Sequence, residues 1–311
     1  MKLTESQLRR IIRNETKLVI SESHRGRRSL ASLIFEDAEA SKIDPEKFPT
    51  TLSAAAAKGE EMSVAVSSGT KDGEVPDDSV KAAPASFSCA ELKPSQSSMN
   101  IDKAVSMAFG SLKSGKAGGE LGAFISEDGY IMDGHHRWIS TFMVDPSAKI
   151  SGFKVNLPGE QLVAVLNAYT AGRLGITSGK PATGGFDQFK DKNAMKEAVE
   201  KFVTKGSDRV SAEDAAKVVE DKGGVDQLVE MFMKNLSGAT MSLPGWAPER
   251  PDMPVIDEKD VPGAIAALNK GEIDLNPPYF KDDEKKPENA GRIRAGNVMV
   301  ERWQKLAGLI R

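Results

Sequence analysis

The sequence predicts an α+β protein: a small mixed sheet with helices, followed by a mainly helical C-terminal region and preceded by a flexible N-terminal leader. Three observations carry that prediction. Between Phe87 and Ile176, strand-like and helix-like apolar spacings alternate in the order strand, helix, strand, strand, helix, strand, helix. Beyond that point helical spacing dominates. Before it, from about Asp44 to Ser86, the composition shifts to Ala, Ser, Gly, Lys, Glu and Asp, which offers little to bury against the entropy of ordering. The segments are therefore 1–43 leader, 44–86 flexible linker in which Ala54–Ala57 could extend a short helix, 87–176 α+β domain and 177–311 helical region.

In Met1–Ser21, Thr4 and Gln7 stand in capping-box relation, and Leu8, Ile11 and Ile12 share one face flanked by Arg9, Arg10 and Arg13. So short a helix is marginal alone and is expected to dock on something. Ser86–Leu92 reads as a strand closed by Lys93-Pro94-Ser95-Gln96. Ala104, Val105, Ala108, Phe109 and Leu112 make Ile101–Lys113 a helix. Leu121–Ser126 and Tyr130–Met132 are strands joined by the hairpin signal Glu127-Asp128-Gly129. Trp138, Ile139, Phe142 and Met143 give the helix His135–Val144 its apolar face, so Trp138 is a core residue. Ile150–Leu157 alternates as a strand, and Glu160–Leu174 is a helix ending at Gly175. Asp191–Thr204, Ser211–Asp221, Val225–Leu236, Val261–Lys270 and the basic Asn289–Leu309 follow as helices, with Pro244–Pro254 a proline-rich connector.

Composition narrows the function classes. A formal charge of −3 lacks the basic excess that bulk duplex binding uses, so any contact with DNA must come from a local patch. Aromatic residues are only 6%, too few for an extended base-stacking platform. The single cysteine, Cys89, excludes an internal disulfide and a four-cysteine zinc site, and is read as a small buried residue. No run approaches the roughly 18 apolar residues of a membrane span, and Met1–Ile20 lacks the pattern of a signal peptide. A soluble, intracellular protein with no membrane partner is expected.

The chemistry concentrates at Asp133-Gly134-His135-His136-Arg137, where a strand feeds a helix. The first N–H groups of a helix lack partners, and its dipole is positive there, so an anion is stabilised. Gly134 lets a phosphate approach the backbone, and Arg137 offers a permanent forked cation. Two of the three histidines stand together here and can donate to phosphate or move a proton near neutral pH. Adjacent histidines diverge by about 100° on a helix, and no third His or Cys is near, so no metal ligand is assigned.

The run Gly129-Tyr130-Ile131-Met132-Asp133-Gly134-His135-His136-Arg137-Trp138 resembles the signature of the ParB/sulfiredoxin superfamily. Glu91-Leu92-Lys93-Pro94-Ser95-Gln96 is similar to the first strand and turn of that domain, and Asp145-Pro146-Ser147-Ala148-Lys149-Ile150 to the route into its next strand. Sulfiredoxins carry a catalytic cysteine where this chain has His135, and partition-type ParB proteins carry Gly-Glu-Arg-Arg at the turn. The Asp-Gly-His-His-Arg form is nearest to ParB-like kinases of free serine and to phage proteins described as ParB-like nucleases.

The resemblance implies a phosphate or nucleotide pocket built from Gly134, His135, His136 and Arg137, with Ser95 and Gln96 approaching from the first turn. It implies phosphoryl transfer or phosphodiester hydrolysis, with Asp133, His135 and His136 in catalytic roles and Glu91 as a further acid–base candidate. The ligand would be ATP, ADP or CTP with magnesium, or the phosphates of a nucleic acid. Nuclease, NTPase and small-molecule kinase remain open as the enzyme class. The alternative is a phage structural or packaged virion protein that keeps the fold as a non-catalytic interaction module. Its residues 1–21, which resemble leaders of tailed-phage proteins, would dock on a structural partner, and Ile34-Phe35-Glu36 resembles a prohead-protease site. The expected location is accordingly the host cytoplasm or the virion.

Overall fold

Five strands of seven residues or fewer pair into one mixed sheet in the computed structural model, which describes residues 43–71, 73 and 77–275. They are β1 (Ala82–Ser88), β2 (Lys93–Pro94), β3 (Gly119–Ile125), β4 (Tyr130–Asp133) and β5 (Lys149–Val155). Their spatial order is β1-β5-β3-β4-β2, antiparallel for β1/β5 and β3/β4, parallel for β5/β3 and β4/β2. Both outer strands contain a proline, Pro84 and Pro94, which a sheet tolerates only at an edge. The protein is α+β.

Strand alternation sends neighbouring side chains to opposite faces, and each face has its own core. Ala123, Ile125, Ile131 and Ile150 join one cluster, whereas Phe124, Met132, Phe153 and Val155 join the other. The first face is covered by α3 (Ile101–Ser114) and α4 (His135–Val144). Behind these pack α7 (Lys192–Lys205), α8 (Ala212–Asp221) and α9 (Val225–Leu236), with the short α6 (Phe186–Lys190) beside α7. The second face is covered by α1 (Leu52–Ala57), α2 (Glu60–Ser68), α5 (Gly159–Ala168) and α10 (Val261–Lys270). Helices on both sides of one sheet make three layers.

Several expectations hold to the residue. Helices α4, α9 and α10 have the bounds read from their periodicity, and Asp191 and Ser211 cap α7 and α8 through their side chains. Trp138 is buried, its indole N–H donating to the Cys89 carbonyl at 2.9 Å, and Cys89 is buried beside it. Burial, then the charge of Asp145, pushes the Cys89 thiol up to about 12. Among the described residues no helix is long and apolar enough to cross a membrane.

Three expectations need correction. Residues 44–86 do not behave as a linker: they contain α1, α2 and most of β1, Phe48, Ala55, Met62, Ala65 and Val66 are buried against the second face, and Leu52 is buried as well. Average composition hid them, because a few apolar residues at helical spacing suffice when alanines allow close approach. Nor do residues 87–176 form a core of their own. Phe109 packs on Phe202 at 4.7 Å between ring centres, and the helices after residue 176 share the cluster of α3 and α4. The helix expected over Glu160–Leu174 is α only to Ala168 and loosens into a π turn over Tyr169–Arg173. The basic helix Asn289–Leu309 and the segment 1–21 lie outside the described residues.

Candidate functional site

Strand β4 ends at Asp133 and α4 begins at His135, so the whole connection is Gly134, with φ 107°. That left-handed backbone suits glycine, and an added Cβ would stand only 3.3 Å from the Ala123 Cβ on the neighbouring strand. Among the described residues no side chain caps α4, leaving its first N–H groups without a protein acceptor there. The N-terminus of α3 meets it there. Asn100 caps α3 by accepting from the Lys103 N–H at 2.9 Å, while its own N–H donates to His136 Nε2 at 2.9 Å. Two positive helix ends therefore converge on one imidazole.

The two histidines have different fates. His135 is 2% exposed, and its Nε2 accepts the Ser95 N–H at 3.1 Å. The Ser95 hydroxyl, 3.4 Å from that nitrogen, donates to the Ile131 carbonyl. An accepting nitrogen carries no proton, so the neutral ring holds its proton on Nδ1. The Gln96 amide nitrogen stands 3.1 Å from Nδ1. A flip interchanges the two ends of an amide, and the proton on Nδ1 requires the oxygen end there. Burial, then His136, then Arg250, lowers the His135 pKa to about 3. His135 is thus a neutral latch that fastens Ser95 and Gln96 to the start of α4. Both ring nitrogens are engaged with Ser95 and Gln96, while His135 and Gln96 themselves also line the cleft described below.

His136 is only partly buried. Burial first, then Lys103 and Arg250, pull its pKa down to about 4, so it too is neutral at pH 7. Because Nε2 accepts from Asn100, the proton sits on Nδ1 as a donor. Arg137 folds back over the turn, its guanidinium donating to the Asp133 carboxylate at 2.7 Å, with side chains 23% and 44% exposed. Asp133 is therefore the partner of Arg137 and not the cap of α4. One of the five guanidinium N–H donors is so used. Glu91, the further acid–base candidate, is exposed, with its backbone against the Gly129 turn, and lies apart from the residues lining the cleft described next.

A cleft of about 1530 Å³ opens over this corner, lined by Asp133, Gly134, His136 and Arg137, by Lys103 of α3 and by Arg250. Arg250 arrives on a strap, the proline-rich connector Pro244–Pro254. Trp246 packs edge-on against Tyr130, ring centres 5.1 Å apart and planes at 77°, and it fills the space where a Gly159 side chain would be. Gly179 donates to the Pro251 carbonyl at 2.8 Å, and the Ser53 N–H donates to Asp252 at 3.0 Å. Arg250 itself has no hydrogen bond or ion pair from its side chain among the described residues. Burial pulls its pKa below the ordinary arginine range while the charge of Asp133 pushes back, and it stays a cation at neutral pH.

No protein-family model matches the chain, and comparison with curated proteins and with solved structures gives no match. The site stands on its geometry.

Sequence reasoning missed Arg250 and Lys103. Both exert their charge on His136, which neither motif nor local spacing could reveal: Arg250 lies in a connector and Lys103 on an ordinary amphipathic helix. No group of three or more His, Cys, Asp or Glu side chains able to hold a metal occurs among the described residues.

Proposed function

We propose that the cleft binds the phosphate groups of a nucleotide, on a strand–turn–helix of the ParB/sulfiredoxin-like type. The observation that carries this reading is the pairing of two cations, Lys103 and Arg250, around a neutral imidazole where two helix N-termini meet, with no protein carboxylate bound to either cation among the described residues. Like charges gathered in a partly desolvated corner are unfavourable unless an anion shares it. A phosphate would take the open N–H groups of α4, the Nδ1–H of His136 and the guanidinium of Arg250. Arg137 retains donors of its own beside its bond to Asp133.

The same parts suit phosphoryl transfer, in which positioning and charge stabilisation do most of the catalysis. His136 acts as a hydrogen-bond donor in that scheme, because an imidazole with a pKa of about 4 is a poor base at pH 7. Magnesium would enter with the nucleotide and neutralise its charge, with Asp133 the carboxylate at hand.

Titration calorimetry with ATP, ADP and CTP, each with magnesium, tests the reading. At least one should bind, and Arg250→Ala should weaken it by tenfold or more, the scale of a lost charge-assisted hydrogen bond of about 1.5–3 kcal/mol. Absence of heat with all three nucleotides would reject it. Release of inorganic phosphate or of a phosphorylated acceptor then decides whether binding leads to turnover.

A further inference from the structure

The cleft is much longer than a phosphate group requires. From the corner at His136 it runs along α3, whose residues Lys103, Ser106, Met107, Gly110, Ser111 and Ser114 line it. These recur at helical spacing on the face opposite to the buried Ile101, Ala104, Val105, Ala108 and Phe109. Between Lys103 and Lys113 the helix covers about 15 Å at its rise of ~1.5 Å per residue. Cationic groups stand again at the far end. Lys113 holds the Arg209 carbonyl and the Asp214 carboxylate at 3.4 and 2.7 Å, fixing the loop whose Arg209 side chain has no bound partner among the described residues. Asp208 is the carboxylate beside it.

The middle of this wall carries an anomaly. Gly110 sits inside α3, where glycine weakens a helix relative to alanine. No packing demand accounts for it, since a Cβ built there meets nothing within 4 Å. The residue keeps the floor of the groove low between the charged ends, nearer to Lys113. Phe124 is the one aromatic residue among those lining the cleft, and it is 3% exposed, so bases have no ring to stack on.

We infer that the groove along α3 binds a short single-stranded oligonucleotide by its phosphodiester backbone, one phosphate at the α4 corner and another near Arg209. This rests on the phosphate reading of that corner and extends it by naming the ligand class. At the ~3.4 Å per strand of a duplex-like rise the groove holds about four phosphates, and fewer in a stretched chain. Recognition is of charge and length, without base sequence.

The full chain is titrated by fluorescence anisotropy with labelled oligothymidylates of two, four and eight nucleotides, and by calorimetry with ATP and CTP. Affinity should climb from two nucleotides to about four and then level. With three cleft cations that have no bound partner among the described residues (Lys103, Arg250 and Arg209), raising salt from 50 to 200 mM should weaken the four-nucleotide ligand roughly twentyfold, the single-strand slope for three contacts. Gly110→Glu, whose Cβ meets nothing within 4 Å, and Arg209→Glu should each weaken the four-nucleotide ligand by tenfold or more while leaving mononucleotide binding as it was. Gly110→Ala controls for the helix itself. Mononucleotide binding without any gain for the longer ligands, or oligonucleotide binding indifferent to both variants, would overturn the groove while sparing the corner. A duplex bound as tightly as the single strand would overturn the assignment of ligand class. Failure of every ligand would reject corner and groove together.

Discussion

His135 and His136 are neighbours in sequence with opposite duties, and burial decides between them. His135 in its latch holds two nitrogens in fixed bonds, so His135→Ala should cost stability, on the order of 2–4 kcal/mol by chemical denaturation, for lost packing and for the stranded Ser95 N–H. The pH dependence has a definite sign. A histidine whose folded pKa lies below its unfolded value of about 6.5 binds fewer protons when folded, so it favours unfolding as pH falls. Stability should be full above pH 7 and decline through the window from about 6.5 down to the folded values of about 4 and 3. His135, the more deeply buried of the two, carries the larger share of this loss. Thermal unfolding of wild type and His135→Asn across pH 4.5–7.5 checks this: the variant should show the shallower slope, and parallel slopes would remove His135 as the cause. For Arg250 the prediction separates function from folding, because its cation has no bound partner among the described residues: Arg250→Ala should leave the melting temperature unchanged or raised. The adjacent pair of histidines was legible in the sequence. Which of them is sealed was not, because Ser95 and Gln96 act on His135 through the fold.

At the scale of elements, the strand–turn–helix at Gly134 was readable, because a strand pattern, one glycine and a helical pattern abut without a gap. Gly134→Ala should destabilise by about 1–2 kcal/mol, since it forces a side chain into left-handed backbone and towards Ala123. Gly110→Ala should do the reverse and stabilise by up to about 1 kcal/mol, as expected for an open helical glycine. Denaturant midpoints measure both, and a loss of stability in the second would mean that the groove floor makes contacts not seen here. Of helices α1 and α2, the sequence reading offered only a short helical run at Ala54–Ala57, within α1, and it missed α2 and the burial of both for a physical reason. Their alanines and serines carry little periodic signal, and their apolar residues become a core only against α5 and the π turn that follows it. Propensity marks where a helix can form, whereas tertiary packing decides whether it does.

Across the whole described molecule, one sheet separates two cores, and each core draws on distant parts of the chain. A fragment limited to residues 87–176 should therefore fail to fold, lacking α7 and α9 on one face and α1, α2 and α10 on the other. Circular dichroism and amide-proton dispersion of that fragment test this, and a cooperative unfolding transition would restore the idea of an independent domain. Sequence boundaries placed by composition missed this because composition reports what a segment contains and not what it leans on. The arginine on the strap follows the same logic. It reaches the cleft on a segment held by an indole, a carbonyl and one aspartate, each anchored to a different neighbour. The apparent affinity for an anion is then the intrinsic affinity scaled by the fraction of molecules with the strap seated. Anything that pries the indole off Tyr130 becomes an antagonist of the ligand without ever entering the cleft.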